Sequence, residues 1–563
     1  MAQHRFVIVG GVAGGMSAAA RLRRLTEEAE IIVFEQGDAV SFASCGLPYY
    51  LSGEIKSRDD LLVQTPASMR AALDVDVRLH HKVTAIDAAA HTVRVEGPQG
   101  VEDVAYDQLI LSPGTVAARP PIDGLDLDCV HTLRTVNDAV AMRDAVSGDP
   151  ASWHAVVLGA GFIGLEAAEA LHMAGVDVTL LEAAPHVLPP LEPEMAWLVR
   201  QELTRMGVRV HEGVAVTSIT ADGRRAVVHM ADDQQLPADL VLLSAGTTPA
   251  TTIFAAGGVV CDERGSILVD DQGHTNLIDV WAVGDATVSR DAVTGARRPV
   301  PLAGPAQRGG RLVADAIASD RPSRPLPNPL ASAIVRVGGL TAAMSGANRA
   351  GLVTAGIPFT TMHLHPSDHA GYFPGAQQMH LIVHMDPATG RLLGAQGVGP
   401  SGVDKRIDIL ATAMRAGLRA QELIDLDLCY SPPYGSAKDP INMVGYLADN
   451  MLTGQTTLWQ PGDIDSARRE ALVLDVRTPS EFASGHVREA LNVPHTELRA
   501  RLDEVRTAAD GRRIAVMCQS GVRSYIAHRI LVASGLASST LSGGMLTLQA
   551  WLGTRADEVI TKG

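Results

Sequence analysis

Two cysteines stand where a thiol could do chemistry. Cys45 lies in the run Ser41-Phe42-Ala43-Ser44-Cys45-Gly46-Leu47-Pro48-Tyr49-Tyr50. A dithiol spaced C-x-x-x-x-C would need its second cysteine at position 50, where the chain has Tyr50. Cys45 therefore cannot close an internal disulfide at that spacing, and its redox partner comes from outside the chain or is oxygen. Cys518 opens the run Cys518-Gln519-Ser520-Gly521-Val522-Arg523-Ser524, directly after the apolar residues 514–517. A strand turning into a helix through such a loop aims backbone N–H groups and a helix N-terminus at the sulfur. With Arg523 closing the ring, the thiolate and a persulfide built on it are favoured.

The elements that must position these thiols begin with residues 5–10, RFVIVG, which read as a short buried strand. Gly10-Gly11-Val12-Ala13-Gly14-Gly15 then opens a helix rich in Ala and Arg, and a second strand, Ile31-Ile32-Val33-Phe34, ends in Glu35. Strand, Gly turn, helix and a trailing acid about 20 residues on form a dinucleotide-binding unit. Its cofactor-binding candidates are Gly10, Ala13, Gly14, Gly15 and Glu35, although Val12 replaces the usual middle glycine. A cleaner copy follows, with Gly159-Ala160-Gly161-Phe162-Ile163-Gly164 after a strand at 155–158 and Val178-Thr179-Leu180-Leu181 ending in Glu182. Gly159, Gly161, Gly164 and Glu182 are its binding candidates, and two such units imply two cofactors. A carboxylate at 182 accepts hydrogen bonds from a ribose 2′-OH and repels a 2′-phosphate, so NADH is favoured over NADPH.

A third segment, Thr275-Asn276-Leu277-Ile278-Asp279-Val280-Trp281-Ala282-Val283-Gly284-Asp285, resembles the second flavin-contact motif of the pyridine nucleotide-disulfide oxidoreductases. That resemblance implies FAD as the first cofactor, with Asp285 on its ribityl chain. It also implies a discontinuous FAD-binding domain, 1–120 and 248–325, around an NADH-binding domain at 121–247. Ser112-Pro113-Gly114-Thr115 and Ser244-Ala245-Gly246-Thr247 sit where the crossings between the two would lie. Around Cys45 the chain resembles the coenzyme A-disulfide reductase family, and the match runs from the first strand to about residue 450. The resemblance implies a mixed disulfide between Cys45 and coenzyme A, with Ser17, Arg21, Arg24, Ser41, Ser44 and Lys438 as coenzyme A contacts. Arg21, Arg23 and Arg24 form a basic cluster of the kind a ligand with several phosphates requires. Ser44 replaces a commoner Asn. Asp368-His369-Ala370-Gly371-Tyr372 and Cys429-Tyr430-Ser431-Pro432-Pro433-Tyr434 resemble that family's α+β dimerisation domain, placed at 326–450. Its two tyrosines, matched by Tyr372 and Tyr430, reach the partner subunit's active site, which implies a homodimer with a shared site. An NADH oxidase or peroxidase that cycles a cysteine sulfenic acid shares the fold, but carries a histidine in the first Gly turn where this chain has Ala13.

After a polar linker at 451–462, the runs Asp475-Val476-Arg477-Thr478-Pro479-Ser480-Glu481-Phe482 and Gly485-His486-Val487, with the Cys518 loop, resemble a rhodanese domain over 463–563. The loop from Cys518 to Arg523 has the shorter form typical of sulfurtransferases, whereas phosphatases on that fold use one residue more. The expected architecture is thus α/β: two Rossmann-like domains for FAD and NADH, an α+β dimerisation domain and a C-terminal α/β rhodanese domain. The expected activity is reduction of coenzyme A disulfide, coenzyme A persulfide or polysulfide by NADH. A sulfur carrier or redox sensor is the non-enzymatic alternative.

The bulk properties agree with this. Lys+Arg of 47 against Asp+Glu of 63 leaves a net charge of −16, which opposes binding to nucleic acid. No apolar run reaches the roughly 18 residues that a membrane span needs. The apolar stretch at 6–20 reads better as a strand entering a Gly turn than as a secretion signal. Five cysteines, an odd number spread over 563 residues, make no disulfide framework, and a reducing cytoplasm fits. No metal is expected at the His363, His365, His369 cluster, which runs into a Gly- and aromatic-rich turn with no further ligand.

Overall fold

The computed structural model describes residues 4–148, 150–223 and 225–562. They form two compact units, one of residues 1–185 with 207–331 and the other of 186–206 with 332–563.

In the first unit, Arg5–Val9 is the centre of a five-stranded parallel sheet ordered Val280–Ala282, Gln108–Leu111, Arg5–Val9, Glu30–Phe34, Asp76–Arg78. Four of the five residues of Arg5–Val9 are buried, as a central strand covered on both faces demands. The chain thus returns to its first sheet after residue 279, and the strand that rejoins it ends three residues before Asp285. The second parallel sheet runs Arg209–Glu212, Asp177–Glu182, His154–Leu158, Leu240–Leu243, Val130–His131. Thr115–Ala117 and Thr247–Pro249 pair as a short antiparallel ribbon.

The helix after the first Gly turn, Ala13–Leu25, lies against Ala303–Ala318 through glycine. A Cβ placed on Gly310 would stand 2.1 Å from the carbonyl oxygen of Gly14, so the two backbones touch where no side chain fits.

The second unit holds an antiparallel sheet ordered Ala333–Val337, Leu340–Gly346, Leu392–Gly399, His380–Met385, Thr360–Leu364. Helices Val403–Ala416 and Pro440–Leu452 share its apolar core through Ile407, Leu410, Ile441 and Val444. A parallel sheet follows, ordered Leu458–Trp459, Ser538–Leu541, Arg513–Met517, Ala471–Asp475, Leu491–Asn492. The segment 451–462 is not a free tether. Leu458–Trp459 is an edge strand of this sheet, with Trp459 5% exposed and its ring packed in the apolar cluster of Ile464, Leu541 and Met545. Helix Pro193–Met206, inside the range 121–247, packs in this second unit against the antiparallel sheet and helix Gly544–Leu552.

The Gly14–Gly310 contact yields a prediction. Gly310→Val forces two backbones apart and should cost about 1–3 kcal/mol, read as a lower Tm in calorimetry. A Tm equal to the parent's would show that the helices do not depend on this contact.

Candidate functional site

Cys45 sits in the single turn Ser44–Gly46, which runs directly into helix Leu47–Leu51 with Pro48 in its first turn. Its side chain opens to solvent from a recess. The surrounding protein, and then the Glu166 carboxylate, push its thiol up; a hydrogen bond with Ser44 opposes this, and Asp285 adds to it. Glu166 comes from helix Phe162–Met173, the helix of the second Gly turn, and accepts a 3.4 Å hydrogen bond from the Tyr49 hydroxyl. Tyr50, where a second cysteine would stand, is 9% exposed and lies under the Arg143 guanidinium at 4.4 Å. All five cysteines are free.

The two Gly turns share one construction. Glu35 takes hydrogen bonds of 2.8 Å from the backbone N–H groups of Gly11 and of Gly37, one on each oxygen. Glu182 does the same with Ala160 at 2.6 Å and Ala184 at 2.7 Å. Each acid thus fixes the second residue of its own turn. Gly10 and Gly159 adopt φ of +101° and +100°, a conformation that costs glycine little. Gly15 and Gly164 bring their helices onto the turn, where a Cβ would come within 2.0 and 1.9 Å of the carbonyls of Gly10 and Gly159. Gly161 faces open space, since a Cβ there would meet nothing within 4 Å. Val12 is the N-cap of the first helix, and Ala13 is its first residue. This chemistry fits two dinucleotides: backbone N–H groups and a helix N-terminus for pyrophosphate, with an acid for each ribose. Asp285 fits as the acceptor for a ligand hydroxyl. Burial raises its carboxyl, which Arg134 opposes, and Arg134 is itself anchored on Thr115 through bonds of 3.0 and 2.7 Å.

The residues expected at coenzyme A divide. Ser44 and Arg24 are exposed, and Arg24 places one nitrogen 3.0 Å from the Ala20 carbonyl. Ser17 is half-buried, and Ser41 holds φ of +44°. Arg21 is paired with Asp315 at 2.6 Å. Arg23 is a correction: it is 5% exposed and donates to the carbonyls of Leu73, Thr26, Glu27 and Asp74. It ties the end of its own helix to the C-terminal end of helix Pro66–Leu73 and faces away from any phosphate-binding cluster.

In the second unit, the Tyr372 and Tyr430 hydroxyls lie 3.0 Å apart, and the rings are 75% and 49% exposed. The shared hydrogen bond raises the Tyr372 phenol. Tyr434 is 72% exposed beside them, Cys429 is exposed and Lys438 is exposed, with its ammonium 6.0 Å from the Tyr446 ring centre. Arg406, fully buried, fastens this region by donating to the Asp368 carbonyl at 2.7 Å and to Asp439 at 2.8 Å.

Cys518, 1% exposed, ends strand Arg513–Met517 and leads into helix Val522–Ala533. Its Sγ accepts from the Gly521 N–H at 3.2 Å and donates to Ser524 Oγ at 3.6 Å. Arg523 departs from the expected ring closure. Its two terminal nitrogens both donate to Glu481 at 2.7 Å, a bidentate pair that holds the Glu481 carboxyl down to about 2. Buried Arg477 pairs with Asp475 at 2.6 Å and reaches Gln519 of the loop at 3.4 Å.

Glu166 and Glu481 were not singled out from sequence. Glu166 carried a faint signal, standing two residues past Gly164 on a helix aimed at the cofactor. Among the described residues, no group of three His, Cys, Asp or Glu is placed to hold a metal. His363 contacts Glu194 and Ser542, His365 contacts His380 and Thr547, and His369 contacts Asp368. Nor is any described helix long and apolar enough to cross a membrane.

Residues 4–317 match the model of the pyridine nucleotide-disulphide oxidoreductases, residues 333–439 that family's dimerisation domain and residues 461–550 the rhodanese-like domain. The coenzyme A disulfide reductase of Staphylococcus haemolyticus is 33% identical over 449 residues, 79% of this chain and all of that one. The structure of reduced Bacillus anthracis CoADR-RHD aligns over the full length of both chains with 36% identity and a TM-score of 0.94. A NAD-dependent persulfide reductase from A. fulgidus aligns over 96% of this chain and 99% of its own, with 33% identity and a TM-score of 0.89. The chain therefore belongs to the pyridine nucleotide-disulphide oxidoreductase family, with that family's dimerisation domain and a rhodanese-like domain following its two nucleotide-binding sheets.

Proposed function

We propose that the protein uses NADH and FAD to reduce coenzyme A disulfide, coenzyme A persulfide or a related polysulfide at Cys45, and that Cys518 carries sulfane sulfur. The observation that carries this is the solitary thiol: Cys45 opens from its recess with Tyr50 buried where a protein partner would be. A sulfur with no partner in its own turn must pair with a visiting one.

FAD, when bound, supplies a two-electron relay between the nicotinamide and the sulfur. Gly10, Ala13, Gly14, Gly15, Glu35 and Asp285 would hold it, and Gly159, Gly161, Gly164 and Glu182 would hold NADH. Cys45 attacks one sulfur of the substrate; the S–S bond breaks, coenzyme A leaves as its thiolate, and a Cys45–S–S–CoA bond remains. Two electrons from NADH then break that bond, so that one NADH and one proton turn one disulfide into two thiols. With a persulfide the products are one thiol and one hydrogen sulfide. Burial first, and then the Glu166 carboxylate, push the Cys45 thiol up and so disfavour its free thiolate.

The exposed tyrosines fit a homodimer in which Tyr372 and Tyr430 enter the partner subunit's site and donate a proton or hydrogen bond to the departing thiolate. Ser17, Arg21, Arg24, Ser41, Ser44 and Lys438 would contact coenzyme A, with Arg24 the exposed cation of its helix and Arg21 shared with Asp315. Five free thiols suit a reducing cytoplasm. At Cys518 the Gly521 N–H and the helix N-terminus would support a persulfide, while Glu481 holds Arg523 at the loop's edge.

Cys45→Ser should abolish NADH-dependent reduction of coenzyme A disulfide and persulfide while bound flavin is still bleached by NADH under anaerobic conditions; undiminished turnover would reject the assignment. Glu166→Gln removes a carboxylate that opposes thiolate formation, so Cys45 should be alkylated faster by iodoacetamide at neutral pH; an unchanged rate would show that burial alone sets the thiol. Cys518→Ser should eliminate sulfur transfer from thiosulfate to cyanide and leave coenzyme A disulfide reduction intact, and loss of both would contradict two separate thiol sites.

A further inference from the structure

The loop that follows strand Ser538–Leu541 ties the Cys518 loop to the antiparallel sheet. Gly543 and Gly544 both hold left-handed φ, +71° and +66°. A Cβ on Gly544 would stand 2.5 Å from the Cys518 carbonyl oxygen, and one on Gly543 would stand 2.7 Å from His363 Cβ. The two glycines are therefore sandwiched between the thiol loop and strand Thr360–Leu364. On one side, the N–H groups of Met545 and Leu546, at the start of helix Gly544–Leu552, donate to the carbonyls of Cys518 at 2.8 Å and Gln519 at 3.1 Å. These bonds set the backbone of the thiol loop.

On the other side stand two histidines of the sheet. His363 Nδ1 is 2.7 Å from Ser542 Oγ, which also accepts from the His363 backbone N–H at 3.1 Å. His363 Nε2 is 2.8 Å from Glu194 Oε1, at the start of helix Pro193–Met206, and Arg349 donates to the same oxygen at 2.6 Å. His365 Nε2 is 2.7 Å from Thr547 Oγ1, one turn into the helix that carries the Met545 and Leu546 donors. With Nε2–H donated to the carboxylate, the neutral His363 offers Nδ1 at 2.7 Å as the nearer acceptor for the Ser542 hydroxyl, the Thr361 carbonyl at 3.4 Å being the other, and these contacts fix the rotamer of the residue preceding Gly543. A carboxylate, an imidazole and a serine in line is also the pattern of an activated nucleophile. Ser542 is 1% exposed, however, so no substrate reaches it.

We propose that His363, through Ser542, and His365, through Thr547, are positioning residues for Cys518, so that sulfur transfer in the rhodanese-like domain depends on the dimerisation domain to which it is fused. This rests on the reading of Cys518 as a sulfane-sulfur carrier. The same fold standing alone would have to fix its Ser542–Gly544 turn by other means. The fusion supplies hydrogen bonds from the sheet to Ser542, through the His363 ring and backbone N–H and the Thr361 carbonyl, and to Thr547 through His365, and the two imidazoles are the side-chain members of this set.

The test uses the full-length protein, with thiosulfate and cyanide for transfer and NADH with coenzyme A disulfide as a second activity on the same samples. Asn at 363 puts an acceptor where Nδ1 stands and keeps the Ser542 bond; Gln puts its amide where Nε2 stands and keeps only Glu194. His363→Ala and His363→Gln should lower kcat for transfer about 10- to 100-fold, the scale of a misplaced reacting group, with KM little changed. His363→Asn should restore most of that rate, and all variants should keep the reductase activity. Thr547→Val, close in shape but without the hydroxyl, should lower transfer in the same way and reads the second bond even if a His363 variant folds poorly. A His363→Asn protein as impaired as His363→Gln, or full transfer in both His363→Ala and Thr547→Val, would overturn the positioning role. Transfer surviving in Cys518→Ser would overturn the reading of the thiol itself, a result distinct from either.

Discussion

A sulfur that must pair with a visiting sulfur has to be solitary and accessible, and it attacks as its thiolate. Packing around Cys45 makes it solitary, and the charges beside it set how readily it ionises. Tyr50 fills the place of a second thiol and is held there by the face of Arg143. Glu166 and Asp285 add negative charge near the sulfur, and the Ser44 hydrogen bond only partly offsets them. Two of these groups come from segments distant in the chain, so the reactivity of Cys45 is a property of the assembled unit.

The nucleotide-binding turns show how a small motif is made rigid before any ligand binds. Glu35 and Glu182 each grip the second N–H of their own Gly turn and the N–H two residues beyond themselves. Charge-assisted bonds of this kind hold the turn in one geometry, and the glycines bring each helix close enough that its N-terminal N–H groups face one point. The middle glycine is not sterically demanded by this geometry, since a Cβ at the equivalent Gly161 would meet nothing within 4 Å; the close contact in the first turn is made by Gly15.

In the second unit the same economy of contact joins different functions. Helix Pro193–Met206 belongs by chain order to the connection between two strands of the second parallel sheet, Asp177–Glu182 and Arg209–Glu212. Its Glu194 nevertheless lies buried against Arg349 and His363, which hold its carboxyl down to about 2 despite burial. A buried carboxylate is tolerated only where cations and hydrogen bonds replace water, and here they come from Arg349, at the start of helix Arg349–Thr354, and from His363 of the antiparallel sheet. The rhodanese-like domain is thus docked on a polar contact within its unit, in which Arg349 and His363 share one oxygen of Glu194 while the other, Oε2, is buried without a hydrogen-bond partner.

Much of this was legible in the residues alone. The strand, Gly turn and acid spacing announced both dinucleotide units, because backbone strain and phosphate chemistry leave few alternatives to glycine at those positions. Tyr50 at the fifth position after Cys45 excluded the usual dithiol by covalent spacing, and Cys518 with its loop declared a second thiol. The folded chain decided what spacing does not encode. Arg23 sits in a row of basic residues, yet faces inward onto four carbonyls, since a helix of 3.6 residues per turn points neighbours in different directions. Arg523 turned from the thiol loop to Glu481, 42 residues away, because a bidentate carboxylate outcompetes a single sulfur for a guanidinium. Glu166, Glu194 and the paired histidines gained their roles the same way, from contacts between segments far apart in sequence, which local pattern cannot specify.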